Sequence, residues 1–195
     1  MELKRAFDIA ASAAGLIIGS PVILTAAFAM ACVNRSFPFF AQPRVGKGGS
    51  HFKIIKIKSM KDAFNEAGEL LPDDKRVTNF GIILRKSRLD ELPQLLNILK
   101  GDMSFVGPRP IRSKWVASQD ILRQSVRPGL TGLGQVSGGN NLSEKEMLEK
   151  DHIYVANSQQ SSDFKNLVSD IKLILKTPYA LIKNRHAPHN RCSVQ

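Results

Sequence analysis

From Ile9 to Val33 the chain carries no charged residue. Lys4 and Arg5 precede this run and Arg35 follows it. At about 1.5 Å per residue it is long enough to cross a bilayer core of about 30 Å. An evenly apolar helix of that length is a poor fit to a soluble core. A cleaved secretory signal is the rival reading, because Ala29-Met30-Ala31 resembles a processing site and Cys32 follows it. The apolar run is too long for a signal h-region, however, and Asp8 interrupts its approach. The run therefore reads as a membrane segment.

Gly19-Ser20-Pro21 lies in the middle of that segment. Pro21 has no N–H for the carbonyl of Ile17, and its ring crowds the preceding turn. In lipid a freed carbonyl needs a local partner, and the Ser20 hydroxyl is one. Two shapes satisfy these constraints: a kinked spanning helix, or a sharp bend that returns the chain to the same face. Beyond Arg35 the chain is strongly basic, which favours a cytoplasmic location for it.

The chain has 195 residues and a formal net charge of +11. That length provides for one domain with a true core plus an accessory segment. The charge calls for an anionic partner: nucleic acid, anionic lipid or a phosphorylated substrate. Aromatics are sparse and do not interleave with basic residues, which argues against stacking on bases. Cys32 and Cys192 form no metal or redox motif, and His186 and His189 read as tail.

The densest stretch runs from Arg85 to Gly101. Leu92, Leu95, Leu96 and Leu99 share one helical face, and Gly101 is placed to end the helix. Pro93 is tolerated only in a first turn, so the spacing predicts Asp90 as N-cap and Glu91 as the first helical residue. Two carboxylates then sit at the positive end of a helix dipole beside Arg85, Lys86 and Arg88, which keeps both ionised and can hold Mg²⁺ and a phosphate. The plainer reading is a helix cap among surface charges. In the following loop, Pro108 and Pro110 bracket Arg109 and leave it little backbone freedom, which suits a bidentate phosphate contact.

Elsewhere, residues 42–49 read as a turn with glycine breakers, and residues 52–58 as a strand whose lysines, Lys56 among them, reach phosphate or solvent. Residues 61–74 form a polar surface excursion, and 82–84 a short apolar element. Residues 111–126 are predicted helical, with Arg112, Lys114 and Arg123 on the exposed side. The glycine-rich stretch 127–140 could bring backbone N–H groups close to an anion, although it is neither a P-loop nor a Rossmann fingerprint. Ser143 and Glu146 form a capping box for a helix reaching Asn157. Residues 170–183 are apolar with interspersed lysines and broken at Pro178, either as a core helix or as an interfacial amphipathic one.

With these residues in view, the chain resembles the bacterial sugar transferases, specifically the small monotopic phosphoglycosyl transferases. The resemblance runs through Arg5 to Asp8, Ser20-Pro21, Gln42, Arg44 to Gly46 and Lys56 to Met60. It is densest in Leu89-Asp90-Glu91-Leu92-Pro93-Gln94 and in Gly101 to Pro110. It continues through Arg127 to Gly132, Gln135-Val136, Asp151 with Tyr154, and Asp170 to Thr177. The resemblance implies transfer of a sugar 1-phosphate from a UDP-sugar to undecaprenyl phosphate, with release of UMP and with Mg²⁺ as cofactor. It places the catalytic and metal-holding pair on Asp90 and Glu91, Asp90 being the nucleophile of a covalent intermediate. It marks Lys56, Arg85, Arg88, Arg109, Arg127, Gln135 and Asp151 as substrate-binding candidates. It also implies a re-entrant helix broken at Ser20-Pro21, with both ends cytoplasmic at the bacterial inner membrane. Three departures stand out. Lys58 occupies a usual arginine position, Gly139 lies where a Gly-Arg pair is common, and the link 158–169 is longer than usual.

The resulting expectation is an α+β, mainly helical protein: a membrane segment over 1–35, then a catalytic domain over 36–195 with little strand and amphipathic interfacial helices. Its expected partners are a UDP-sugar, undecaprenyl phosphate and the membrane, without nucleic acid; a homodimer is left open. The alternative is a non-catalytic, membrane-tethered basic module that binds anionic lipid or partner proteins. Neither the hexose nor the glycan pathway is encoded in a motif.

Overall fold

The computed structural model describes residues 2–111 and 121–183. In chain order the elements are α1 (Glu2–Asn34), β1 (Phe39–Val45), β2 (His51–Ile57), α2 (Asp73–Arg76), α3 (Asn79–Ser87), a 3-10 segment (Leu89–Gln94) and α4 (Leu95–Lys100). Then follow β3 (Ser104–Val106), α5 (Ile121–Gln124), β4 (Gly129–Thr131), α6 (Leu133–Ser137), α7 (Glu144–Gln160) and α8 (Asp163–Lys183). The described protein is mainly helical with two small two-stranded sheets, β1–β2 and β3–β4, as the sequence leads one to expect. The contacts separate two compact units. One takes in Ala11–Gln42 and Lys53–Asn97; the other takes in the described residues of Met1–Ala10, Pro43–Phe52 and Ile98–Gln195.

In the first unit, α1 supplies a buried stripe of Ile23, Ala26, Ala27 and Met30, at the spacing of one helix face. Ala26 and Met30 pack with Ile57 of β2 and Leu84 of α3, and Phe39, Phe80 and Leu89 close around them. Ile17, Ile18, Leu24 and Phe28 of α1 are instead 65–79% exposed. A helix with one packed face and one bare apolar face suits a membrane, and α1 is long and apolar enough to cross one. Its helical assignment runs through Pro21. The carbonyl that Pro21 leaves free, that of Ile17, accepts a hydrogen bond from Ser20 Oγ at 2.9 Å, the local remedy predicted from the sequence.

Asn97 laces the strand to α4: its Oδ1 accepts from Ile55 N at 3.1 Å, and its Nδ2 donates to the Lys53 carbonyl at 2.9 Å. Thr78 caps α3 by accepting from Gly81 N. A Cβ on Gly81 would lie 2.0 Å from the Ser59 carbonyl oxygen, so only glycine permits that approach.

In the second unit, the parallel pair β3–β4 has the register Ser104↔Gly129 and Val106↔Thr131. α6 packs on α7 and α8, and α8 also packs on both strands. The start of α1 is fixed by polar contacts. Lys4 Nζ reaches the Asp170 carboxylate, Tyr154 Oη at 3.1 Å and the Val106 carbonyl at 2.9 Å. Arg5 caps the end of α4 through the carbonyls of Ile98 and Leu99, at 2.6 and 2.9 Å. Buried Asp8 accepts from Phe105 N at 3.1 Å.

Four local expectations are corrected. Residues 42–45 belong to β1, and the turn is confined to residues 46–50, where Gly48 and Gly49 take positive φ. The glycine-rich stretch is not an open anion loop. A Cβ on Gly129 would lie 2.1 Å from Gly107 N, so these glycines serve close backbone packing. α8 continues through Pro178 and starts at Asp163, which absorbs most of the 158–169 link. Its packing on α6, β3 and β4 outweighs the single hydrogen bond that proline removes. Arg123 is turned inward rather than outward. The capping box at Ser143 and Glu146 forms as expected. The predicted helix over 112–120, Trp115, and the tail with His186, His189 and Cys192 lie outside the described residues.

Candidate active site

The acid pair is positioned by a reversal at Arg88. This residue ends α3 and opens the 3-10 segment with φ 59° and ψ 15°, a left-handed conformation uncommon for a non-glycine residue. Because the 3-10 segment begins at Leu89, Asp90 lies inside its first turn and is not the N-cap expected from Pro93. Arg88 holds that position and makes no side-chain cap. Pro93 is accommodated within the 3-10 turn, and Gly101 ends α4 at φ 97° as expected.

Asp90 is buried, at 8% exposure. Its Oδ1 is shielded from solvent and has no hydrogen-bond partner among the described residues. Glu91 is held differently. Its Oε1 receives Lys56 Nζ at 2.7 Å and Arg88 Nη1 at 3.2 Å. Arg85 Nε donates to Ser59 Oγ at 2.7 Å. Burial, then the neighbouring Glu91 charge, push Asp90 up to about 6, against the opposing pull of Lys56, Arg88 and Arg85. The expectation that both carboxylates stay ionised is thus narrowed. Asp90 titrates nearer to neutrality than an ordinary aspartate and is mostly ionised at pH 7.

The two neighbouring carboxylates are held in contrasting ways. Asp90 has an oxygen that is shielded from solvent and has no partner among the described residues. Glu91 is neutralised by two cations. A raised pKa in such a setting is a recognised mark of a functional site.

The structure therefore gathers Asp90, Glu91, Lys56, Arg85 and Arg88. The other sequence-derived candidates belong to the second unit. Arg109 is exposed and has no hydrogen bond or ion pair from its guanidinium among the described residues. Arg127 Nε donates to the Gly101 carbonyl at 2.8 Å, which gives it a structural task. Gln135, on α6, has a shielded Oε1 without a partner among the described residues. Asp151 is fully buried and faces Arg123 at 2.8 Å.

Sequence reasoning missed Ser59 as the partner of Arg85, and Lys4 as the partner of Asp170 and Tyr154. Ser59 carried no local signal. Lys4 looked like an ordinary basic flank of an apolar run, although its position four residues before Asp8 places both on one helix face.

The family model described as bacterial sugar transferase matches residues 1–184. The uncharacterized sugar transferase EpsL of Bacillus subtilis is 39% identical over 90% of this chain and 88% of its own length. A UDP-glucose:undecaprenyl-phosphate glucose-1-phosphate transferase of Caulobacter vibrioides is 36% identical over 94% of this chain and 71% of its own length. A UDP-N-acetylgalactosamine-undecaprenyl-phosphate N-acetylgalactosaminephosphotransferase of Aeromonas hydrophila is 35% identical over 90% of this chain, which spans 42% of that longer protein. With the family model covering nearly all of it and relatives of similar length above 30% identity, this chain is a transferase that belongs to the bacterial sugar transferase family.

Proposed function

We propose that this protein moves a sugar 1-phosphate from a UDP-sugar to undecaprenyl phosphate through a covalent intermediate on Asp90. The observation that carries this reading is the buried Oδ1 of Asp90, without a partner among the described residues, beside a Glu91 already held by Lys56 and Arg88. In the first half-reaction an Asp90 oxygen attacks the sugar-bearing phosphorus. The bond from that phosphorus to the bridging oxygen breaks, and UMP leaves with that oxygen. In the second, an oxygen of undecaprenyl phosphate attacks the same phosphorus and the Asp90 carboxylate is released unchanged. Two displacements let a soluble donor and a lipid acceptor use one nucleophile in turn.

Desolvation favours this role. A carboxylate with a pKa of about 6 is more basic than an ordinary aspartate, yet it is still ionised at pH 7. Lys56, Arg85 and Arg88 are the cations available to the charge that develops on the phosphoryl oxygens. Arg109, whose guanidinium is exposed and has no partner among the described residues, is assigned to a donor phosphate. Mg²⁺ fits the donor set. No cluster of three or more His, Cys, Asp or Glu occurs among the described residues. Mg²⁺ characteristically takes one or two carboxylates and completes its shell with water and substrate phosphate. Asp90 and Glu91 would hold it, and it would neutralise diphosphate charge.

The membrane assignment rests on α1 and on α8. Phe164, Val168, Ile171, Leu175, Tyr179 and Ile182 form one exposed apolar stripe along α8. We assign residues 1–35 to a re-entrant membrane segment at the inner membrane, and 36–195 to a cytoplasmic catalytic part with α8 lying at the interface.

The test is a panel of UDP-sugars with undecaprenyl phosphate and Mg²⁺, scored by UMP release. Release from at least one sugar by the wild type, and none by Asp90→Asn, is the expected result. Wild-type turnover by Asp90→Asn would remove Asp90 as nucleophile. No release with any sugar would favour the non-catalytic membrane-tethered module.

A further inference from the structure

The segment 107–111 is fastened at successive points. Gly107 N donates to the Thr131 carbonyl at 3.0 Å, and the Pro108 carbonyl accepts from Gly129 N at 2.9 Å. The Ile111 carbonyl accepts from Val45 N at 3.1 Å. These are backbone contacts. Between them, the Arg109 carbonyl accepts from Arg123 Nη2 at 2.7 Å, a side-chain contact. The same Nη2 lies 2.8 Å from Asp151 Oδ2. Asp151 is wholly buried on α7, a helix fixed at its start by the Ser143–Glu146 capping box.

We infer that Asp151 and Arg123 are a positioning pair that holds the Arg109 backbone so that its exposed guanidinium is aimed. The inference deepens the proposed function, since it assumes that Arg109 binds a donor phosphate. Three physical points lead to it. Pro108 and Pro110 lack N–H groups, so the tip has few donors of its own, and its Arg109 carbonyl receives an anchor from the Arg123 side chain. Arg123 brings a second positive charge close to Arg109, and Asp151 cancels it, so the tip presents the Arg109 charge alone. A planar guanidinium reaches a carbonyl and a carboxylate together, which a lysine ammonium does with less directional control. Asp151 therefore acts through Arg123 and the Arg109 backbone, with no substrate contact of its own.

The test uses the full chain in lipid nanodiscs. Arg123→Lys keeps the buried charge balanced, and the double variant Arg123→Met with Asp151→Leu removes both charges together. Activity is read as UMP release from UDP-glucose, UDP-galactose and their N-acetyl counterparts, with undecaprenyl phosphate. Arg123→Lys should lower kcat/KM about 10- to 100-fold, the scale of a misplaced binding group. Added to Arg109→Ala, it should cost nothing further. If the two losses multiply, Arg123 does not act through Arg109 and the inference falls. The second readout is amide exchange at Val45 and Gly129, whose N–H groups donate to the Ile111 and Pro108 carbonyls, and it should quicken at least about tenfold in the charge-free double variant. Unchanged exchange there would overturn the pair as an anchor. If the wild type releases no UMP from any of these sugars, the proposed function fails, and the exchange result still decides the anchor by itself.

Discussion

Asp90→Asn should stabilise the protein while abolishing its turnover. Burial and Glu91 raise the Asp90 carboxyl from its ordinary value of 3.8 to about 6. A carboxyl raised on folding makes the ionised native state costly. The cost is absent below about 3.8, grows between 3.8 and 6, and is complete above about 6. Over that interval it amounts to about 3 kcal/mol. Asparagine has the same shape and no charge, so it removes the penalty with little repacking. At pH 8, Asp90→Asn should exceed the wild type by up to about 3 kcal/mol, or roughly 6–12 °C in Tm for a chain of this size. At pH 4 the two should melt together. The assay is thermal unfolding of both proteins in the same detergent at the two pH values. Equal stability at pH 8, or a gain that persists at pH 4, would refute the claim that an ionised, desolvated Asp90 is strained in the fold. Such trade-offs between stability and activity are common where a charge is held dry for chemistry.

Other substitutions probe the surroundings. Lys56 lowers the Asp90 pKa, so Lys56→Met should move the acid limb of the kcat/KM profile to higher pH; an unmoved limb would separate Lys56 from Asp90. Lys4→Met strands the buried Asp170 and should destabilise by about 3–5 kcal/mol, read as a lower Tm, with a smaller loss when Asp170→Asn is made in the same background. Gly129→Ala places a Cβ 2.1 Å from Gly107 N and should prevent the native protein from accumulating, as seen by size-exclusion chromatography in detergent. Tags placed at the two termini should both be accessible from the cytoplasmic side of sealed vesicles; protection of one would make α1 a spanning helix.

Much of the site is legible in residue types alone. The carboxylate pair, the flanking cations and the helix-ending Gly101 all follow from local chemistry, and each occupies the expected neighbourhood. The capping error at Asp90 has a local cause. Proline permits either an α or a 3-10 first turn, and the choice falls to Arg88, whose left-handed conformation no propensity scale predicts. The burial of Asp90 is also invisible in sequence, because it is a property of tertiary packing and carries no signal in the local residue types. Pro178 reads as a break because sequence shows the lost hydrogen bond but not the packing on α6, β3 and β4. Ser20 shows the opposite case: the partner of the freed carbonyl lies within the same turn, so residue chemistry alone predicts the contact.

The most direct measurement supplies a UDP-sugar labelled with ³²P in the sugar-linked phosphate and withholds the lipid acceptor. The account predicts that label becomes bound to the wild-type protein on the peptide carrying Asp90, is absent from Asp90→Asn, and is discharged when undecaprenyl phosphate is added. Turnover to lipid product with no labelled protein at any time, or label retained by Asp90→Asn, would contradict it.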